Sequence, residues 1–206
     1  MNQPSIVSPT ARGPADHDIR NQIVAAANEH FSQYGYAKTT VSDLAKAIGF
    51  SKAYIYKFFD SKQAIGEAIC TNCLTQIAAA VEMSINGETL SATERFRRLV
   101  KTVIATAVDL FFNDRKLYDI AAFSASERWP SSLVYDAQIK QFILQIVRDG
   151  REAGEFERKT PLDETVDAIH LTLRPFVNPL LLQYNLDFIE DAPALTCNLI
   201  LRSLMP

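Results

Sequence analysis

Cysteine is scarce in this chain, with three among 206 residues. An odd number that small argues against a disulfide scaffold and for a reducing compartment. Long hydrophobic runs are missing as well. Runs such as Pro179 to Leu182 and Leu199 to Leu201 fall far short of the roughly 18 consecutive apolar residues that a membrane span needs. No transmembrane segment is indicated. The first fifteen residues, MNQPSIVSPTARGPA, hold three prolines and no apolar block, so residues 1–15 read as a disordered leader rather than a secretory signal. The expected location is cytoplasmic. Catalytic signatures are absent too: there is no G-x-S-x-G, no phosphate-binding glycine loop and no H-E-x-x-H. His17, His30 and His170 have no evident nucleophile partner in the sequence. An enzyme is not the expected class, and neither a cofactor nor a metal ion is called for.

What is present is ordinary in bulk and uneven in detail. The chain is 48% hydrophobic and 22% charged, enough to bury a sizeable core in one large or two small domains. A net charge of -3 conceals an asymmetry: residues 1–65 carry seven Lys or Arg against five Asp or Glu, and the remainder fourteen against nineteen. Between Lys38 and Lys62 stand five lysines against Asp43 and Asp60. A polyanion, if one binds, belongs at this end.

The apolar residues recur at helical spacing, with no alternating strand pattern, internal repeat or low-complexity block, so the fold class is all-α. Ile19, Ile23, Ala27 and Phe31 form one stripe of a first helix from Asp16 to Gly35. Thr40 then precedes Val41, Leu44, Ala45 and Ile48, with Asp43 placed as in a capping box and Gly49 as a left-handed stop. After Gly49 and Phe50, Ser51 can cap a third helix that ends near Asp60 and turns Ile55, Phe58 and Phe59 inward. Asp60 or Ser61 opens a fourth, longer helix through Ile65, Ile69, Ile77 and Val81 toward Asn86 and Gly87.

Two short helices joined by a tight glycine-containing turn and braced by a preceding helix make a helix-turn-helix unit. On the outer face of the third helix, opposite Ile55 at about 100° per residue, lie Ala53 and Lys57, flanked by Tyr56 and Tyr54. That face suits a DNA major groove: Ala53 permits close approach, Lys57 can meet phosphate or a guanine edge, and the tyrosines can reach phosphates or thymine methyls. The amides and the Ser51 hydroxyl at the start of the third helix can hold a phosphate, as can the start of the fourth with Lys62 beside it. The plainer alternative is a surface three-helix bundle with incidental tyrosines.

The segment TTVSDLAKAIGFSKAYIYKFFDSKQAIGEAI, Thr39 to Ile69, resembles the DNA-binding domain of the TetR family of bacterial transcriptional regulators. With the HFSQYGYAKTT that ends the first helix, the resemblance covers about 55 residues, and cap, turn, aromatic and lysine positions agree together. It implies a helix-turn-helix DNA-binding domain over residues 16–62, followed over 63–206 by a helical effector-binding and dimerisation domain. Carried over by position, Thr40 and Ser42 lie near phosphate and Ser51, Lys52, Ala53 and Tyr54 start the recognition helix. Tyr56 and Lys57 are on its groove face, Lys62 is on phosphate and Phe59 is in the core. Ala53 replaces the usual glycine, Tyr54 a small polar residue, Lys57 a tyrosine, Phe58 a histidine and Asp60 a proline. These departures alter the base-facing set and leave the frame, so they bear on operator sequence more than on DNA binding.

The second domain reads as five further helices, about nine in all. Ser91 to Glu94 has the capping-box spacing and opens a helix whose stripe is Phe96, Leu99, Val100, Val103, Ala107, Leu110 and Phe111. It ends near Asn113. A shorter helix runs from Arg115 to Glu127, Trp129-Pro130 breaks the chain, and a helix from Ser131 or Ser132 reaches Gly154. Another spans Asp163 to Gln183, interrupted by Pro175 and Pro179, and the last spans Asp191 to Leu204. The resemblance implies a homodimer formed through the last two long helices, and LTCNLILRSLM, apolar around most of its circumference, is consistent with a covered helix. Two short recognition helices related by two-fold symmetry would match a palindromic operator.

Candidates for holding the small-molecule effector are Phe111, Tyr118, Phe123, Trp129, Phe142, Phe176 and the pair His170 and Arg174, four residues apart on an otherwise apolar helix. Such a pair can orient a polar or anionic ligand, because unpaired polar groups inside a core are costly; core packing and an exposed face are the plain alternatives. Cys70-Thr71-Asn72-Cys73 has a redox-like spacing, yet it falls inside the fourth helix, away from a helix start where thiolates are stabilised, and no second ligand pair follows. Buried or incidental thiols are expected there, with a thiol-oxidation sensor as the alternative. The expected function is a ligand-released repressor, with three partners: a double-stranded DNA operator, a small effector and a second copy of the chain. Its rivals are a DNA-organising protein that needs no effector and a helical ligand-binding protein or enzyme.

Overall fold

The structure, a computed structural model, describes residues 14–87, 89–113 and 117–206. Most of the leader expected over residues 1–15, and the start at Arg115 of the shorter helix, lie outside the described residues. Those described form ten α-helices and no strand.

Helix α1 (Pro14–Tyr34) buries Ile23, Ala27 and Phe31 and stops at Gly35, whose φ of 83° is one that a side chain would strain. Helix α2 (Val41–Ile48) carries the full capping box. The Asp43 amide donates to Thr40 Oγ1 at 3.2 Å, and the Thr40 amide donates back to the Asp43 carboxylate at 2.9 Å. Gly49, at φ 79°, then lets the chain reverse, with the Phe50 amide donating to the Ala45 carbonyl.

Helix α3 is shorter than the sequence suggested. Only Lys52–Ile55 is α-helical; the chain then tightens, with the Lys57 and Phe58 amides donating to the carbonyls three residues back at 3.2 and 2.9 Å. Three large apolar side chains at Ile55, Phe58 and Phe59 dictate this tightening, because all three must reach one core from within five residues. Helix α4 (Lys62–Ile85) follows, capped by Ser61 Oγ, which accepts from the Ala64 amide at 3.0 Å.

Helices α5 (Ala92–Val108, continuing through a π-helical turn at Asp109–Asn113), α7 (Pro130–Glu152) and α8 (Leu162–Val177) pack with α4 into a bundle. Helix α6 (Tyr118–Ser126) and the one-turn α9 (Pro179–Leu182) lie against each other, and α6 also packs on α4 and α7; α10 (Ala192–Ser203) lies on α5 and α8. The tenth helix arises because the expected Asp163–Gln183 element is divided. Pro175 sits inside α8 without ending it, and the break falls at Asn178, whose Oδ1 accepts from the Leu180 and Leu181 amides at 2.9 and 3.3 Å. A 3-10 segment, Gln183–Phe188, then leads toward α10.

The cap of α5 differs from the capping box that its sequence implies. Ser91 Oγ accepts from the Glu94 amide, but the Glu94 carboxylate pairs with Arg98, and the first two amides of the helix, from Ala92 and Thr93, donate to Glu155 at 2.9 and 3.1 Å. A residue beyond the end of α7 thus closes the start of α5, and this cap belongs to the tertiary fold.

Helix α4 is long and apolar enough to cross a membrane by length and composition, although no long unbroken apolar run marks it in the sequence. Half of its most apolar window is buried within the protein, and Ile65, Ile69, Leu74, Ile77 and Val81 enter the core. A core helix shared by two packed units has the same composition.

Gly150 supplies a test of this packing. A Cβ there would stand 2.2 Å from the buried Phe156 ring and 2.9 Å from Ala92 Cβ. Gly150→Ala is expected to destabilise the protein by about 1–3 kcal/mol through overpacking, read as a lower urea midpoint at unchanged slope.

Candidate nucleic-acid interface

The sequence places Ala53 and Lys57, flanked by Tyr54 and Tyr56, on one outer face; in the structure Ala53, Tyr56 and Lys57 are exposed, together with Ser51 and Lys52, whereas Tyr54 is half-buried, and Tyr56 retains 42% of its surface. Beneath them Ile55, Phe58 and Phe59 are buried. Two contacts hold this segment at its far end: Arg20 of α1 donates Nη1 to the Phe58 carbonyl at 2.8 Å, and its guanidinium lies 4.1 Å from the Phe59 ring centre. Sequence reasoning missed Arg20, since it stands 38 positions from its acceptor.

Tyr54 occupies a different environment from Tyr56. Its ring is half-buried and edge-packed between Phe50 at 5.0 Å and Phe58 at 5.4 Å, so its body braces the exposed face. The Lys57 ammonium rests 5.5 Å from the Tyr54 ring centre, and that of Lys52 lies 5.8 Å from Tyr56. Ser51 Oγ accepts from the Tyr54 amide at 3.1 Å. Thr40 is exposed, with its hydroxyl donating to Asp43 at 2.6 Å, and Ser42 is half-buried beside it.

Lys62 is tied to the protein itself. Its ammonium donates to the Tyr36 carbonyl at 3.0 Å and lies 4.3 Å from the Tyr36 ring centre, and burial pushes its pKa down. Tyr36 in turn meets the edges or faces of Phe31, Phe123 and Trp129 at 5.1, 5.1 and 5.4 Å. A Cβ at Gly66 would stand 2.9 Å from Trp129 and 3.1 Å from Tyr36. The bare backbone of α4 therefore admits the indole, and the α1–α3 unit docks on the helices that follow it through this cluster.

The structure divides the expected effector set. His170 and Arg174 line a cavity of about 390 Å³ bounded by α6, α7, α8 and the chain entering α9. Phe111 and Phe176 are buried in the core, Trp129 and Phe123 belong to the Tyr36 junction, and Tyr118 stacks on Phe112 at 5.2 Å; none of these, nor the half-buried Phe142, lines that cavity. The cavity instead includes residues absent from the sequence-based set: Arg128, Tyr135, Asp136, Lys140 and Asp167. His170 Nε2 lies 3.1 Å from Asp136 Oδ1, a bond that holds the aspartate below the usual carboxylate range, and Lys140 pairs with Asp167. Helical spacing on one element cannot reveal a pair formed across α7 and α8.

The fold and the exposed, cationic third helix define a helix-turn-helix DNA-binding regulator mounted on an all-helical second domain. Residues 23–69 match the family model of bacterial regulatory proteins, tetR family, and residues 92–193 match that of the tetracyclin repressor-like C-terminal domain. The chain belongs to the TetR family. It is similar to the biofilm operon icaADBC negative transcriptional regulator IcaR of Staphylococcus aureus strain Newman, 29% identical over 85 residues, which is 41% of this chain and 46% of IcaR. The aligned part thus spans less than half the length of that relative. The HTH-type transcriptional regulator YdgC of Bacillus subtilis strain 168 is 23% identical over 164 residues, 75% of this chain and 80% of YdgC. Among solved structures, the fatty acid degradation regulator FadR from Bacillus halodurans shares the fold with a TM-score of 0.68 at 19% identity, covering 93% of this chain and 97% of FadR. FadR from Bacillus subtilis, solved in complex with stearoyl-CoA, gives 0.67 at 20% identity over 89% and 98%.

Cys70, Cys73 and Cys197 are all buried free thiols. Burial pushes Cys70 from 9.0 up to about 12 and Cys73 up to about 11, so the reactive thiolate is suppressed and oxidation sensing is disfavoured. The stability consequence has a definite sign. Below pH 9 folded and unfolded chains both hold these protons; above it the unfolded chain releases them first, and the folded state is progressively disfavoured until the folded values are passed. Thermal stability is expected to fall from about pH 9 toward pH 12, with a shallower fall in a Cys70→Ala, Cys73→Ala variant. Superimposable relative profiles would remove this assignment.

Proposed function

We propose that the chain is a homodimeric, cytoplasmic transcriptional repressor that reads a palindromic operator with the Ala53, Tyr56 and Lys57 face and is released by a small-molecule effector. The observation that carries the reading is the exposure of that face above three buried anchors, Ile55, Phe58 and Phe59. Ala53 lets the backbone approach the groove, Lys57 and Lys52 supply positive charge, and Tyr56 offers a hydroxyl and a ring to the DNA. Tyr54 supports the face, Ser51, Thr40 and Ser42 lie at the helix starts beside the phosphates, and Lys62 acts as a strut to Tyr36.

Dimerisation is supported by apolar side chains left uncovered on α8 and α10: Leu171, Leu195 and Leu199 are 60%, 68% and 67% exposed. Pairing these faces places two recognition helices on one side of the DNA, where half-sites recur every ~34–36 Å. The effector cavity is walled by Ala121, Ala125 and Arg128 on the same segment that carries Phe123 and Trp129 into the Tyr36 junction. An effector that favours one position of α6 therefore favours one seating of Trp129 on α4, and so one separation of the recognition helices. A cavity of about 390 Å³ beside that segment favours this reading over a DNA organiser without an effector.

Two measurements test it, using an operator found by genome-wide mapping of bound sites. Lys57→Ala should weaken operator binding and, where the contact is to phosphate, reduce the slope of log K against log salt by about one; a Tyr56→Ala, Lys57→Ala variant that binds normally would sink the assignment. Leu195→Asp with Leu199→Asp should sediment as a folded monomer with lost operator affinity, and a dimer would show that the interface lies elsewhere.

A further inference from the structure

The cavity beside α8 holds three features that its proposed role as an effector site leaves unused, and the inference drawn from them rests on that role. Tyr135 lines the cavity and is 4% exposed, and its hydroxyl is enclosed with no hydrogen-bond partner. An enclosed hydroxyl without a partner is costly unless something else supplies one. At the exposed rim stand Arg128 and Arg174, and neither guanidinium makes a hydrogen bond or salt bridge with a described residue. The other charges are matched: Lys140 with Asp167 and His170 with Asp136, the latter also feeling Arg174.

Arg128 is unusual in its backbone as well. Its φ of 53° is the one positive value among the described non-glycine residues, at a helix end where glycine is the unstrained choice. The chain nonetheless puts a long cationic side chain there, at the cavity mouth. The walls also include Leu74, Ala121 and Val177, which are apolar.

We propose that the cavity takes a compact organic anion: a carboxylate held between Arg128 and Arg174, a flat apolar body against Leu74, Ala121 and Val177, and a hydrogen-bonding group that meets the Tyr135 hydroxyl. The volume of about 390 Å³ lies at the small end of the ~300–1,000 Å³ range of ligand pockets. It accommodates one or two fused rings and not a long acyl chain joined to a nucleotide. This ligand class therefore differs from the stearoyl-CoA bound by the Bacillus subtilis FadR neighbour.

The test uses the full chain and three related probes followed by isothermal titration calorimetry: 6-hydroxy-2-naphthoate, its neutral amide 6-hydroxy-2-naphthamide, and 2-naphthoate without the hydroxyl. The acid should bind at least tenfold more tightly than the amide. Arg174→Ala and Arg128→Gly should each remove at least tenfold of the acid's affinity while the amide changes less than twofold. Arg128→Gly should keep or raise Tm, because glycine relieves the backbone, which separates lost recognition from lost folding. Tyr135→Phe should erase the preference for the hydroxylated acid over 2-naphthoate. Equal binding of acid and amide, no binding of the acid, or wild-type affinity in both arginine variants overturns the proposal. Binding of the acid with operator affinity unchanged upholds the anion site and removes the effector reading; operator release by amide and acid alike does the reverse.

Discussion

Helix α4 runs through one continuous core, and the architecture depends on that continuity. Ile65, Ile69, Leu74, Ile77 and Val81 are buried along its length, and the helix packs on α1 as well as on α5, α6 and α7. A helix fixed on both sides cannot shift in one domain without disturbing the other, because close-packed interiors change by discrete repacking rather than by smooth deformation. Gly66 sits at the crossover. Its missing side chain lets Trp129 come against α4 and Tyr36, so aromatic edges rather than a flexible linker join the units.

The two candidate sites solve one physical problem in the same way. Each places cations at an exposed edge above a frame held by side-chain contacts within the protein. In the third helix the frame is Ile55, Phe58 and Phe59, with Tyr54 wedged below and Arg20 closing the end. At the cavity it is the α7 and α8 pair, locked by His170 with Asp136 and Lys140 with Asp167. Charges held on such frames lose little freedom when a ligand arrives. Charges matched within the protein do the opposite work: Lys62, folded onto Tyr36, stiffens the junction.

The legible parts of this chain are those whose causes are local. Thr40 with Asp43, Gly49 and Ser51 specify the turns of the helix-turn-helix within a dozen residues, and the helical period of Ile23, Ala27 and Phe31 specifies the brace. The length of the third helix was not legible, since periodicity alone cannot distinguish a continued α-helix from a tightened turn that brings three large side chains to one core. Nor was the fate of the aromatics: Trp129, Phe123 and Phe142 look alike in sequence, and only packing sends two of them to the junction. The membrane-compatible composition of α4 does not stand out along the sequence, because its apolar residues are interrupted rather than continuous.

By itself the sequence determined the helical class, the order and caps of the first helices and the outward placing of Ala53, Tyr56 and Lys57, though not the half-burial of Tyr54 beside them, because hydrogen bonds and periodicity over a few residues decide those features. Tertiary structure alone decided that Glu155 caps α5, that Arg20 closes the recognition turn, that Lys62 turns inward and that Tyr135, Arg128 and Arg174 share one cavity. The hydrogen-bonded pairings join residues 26 to 63 positions apart, and Arg174 reaches the cavity from a different helix than Tyr135, so their distances are set by how the helices cross and not by any pattern along the chain.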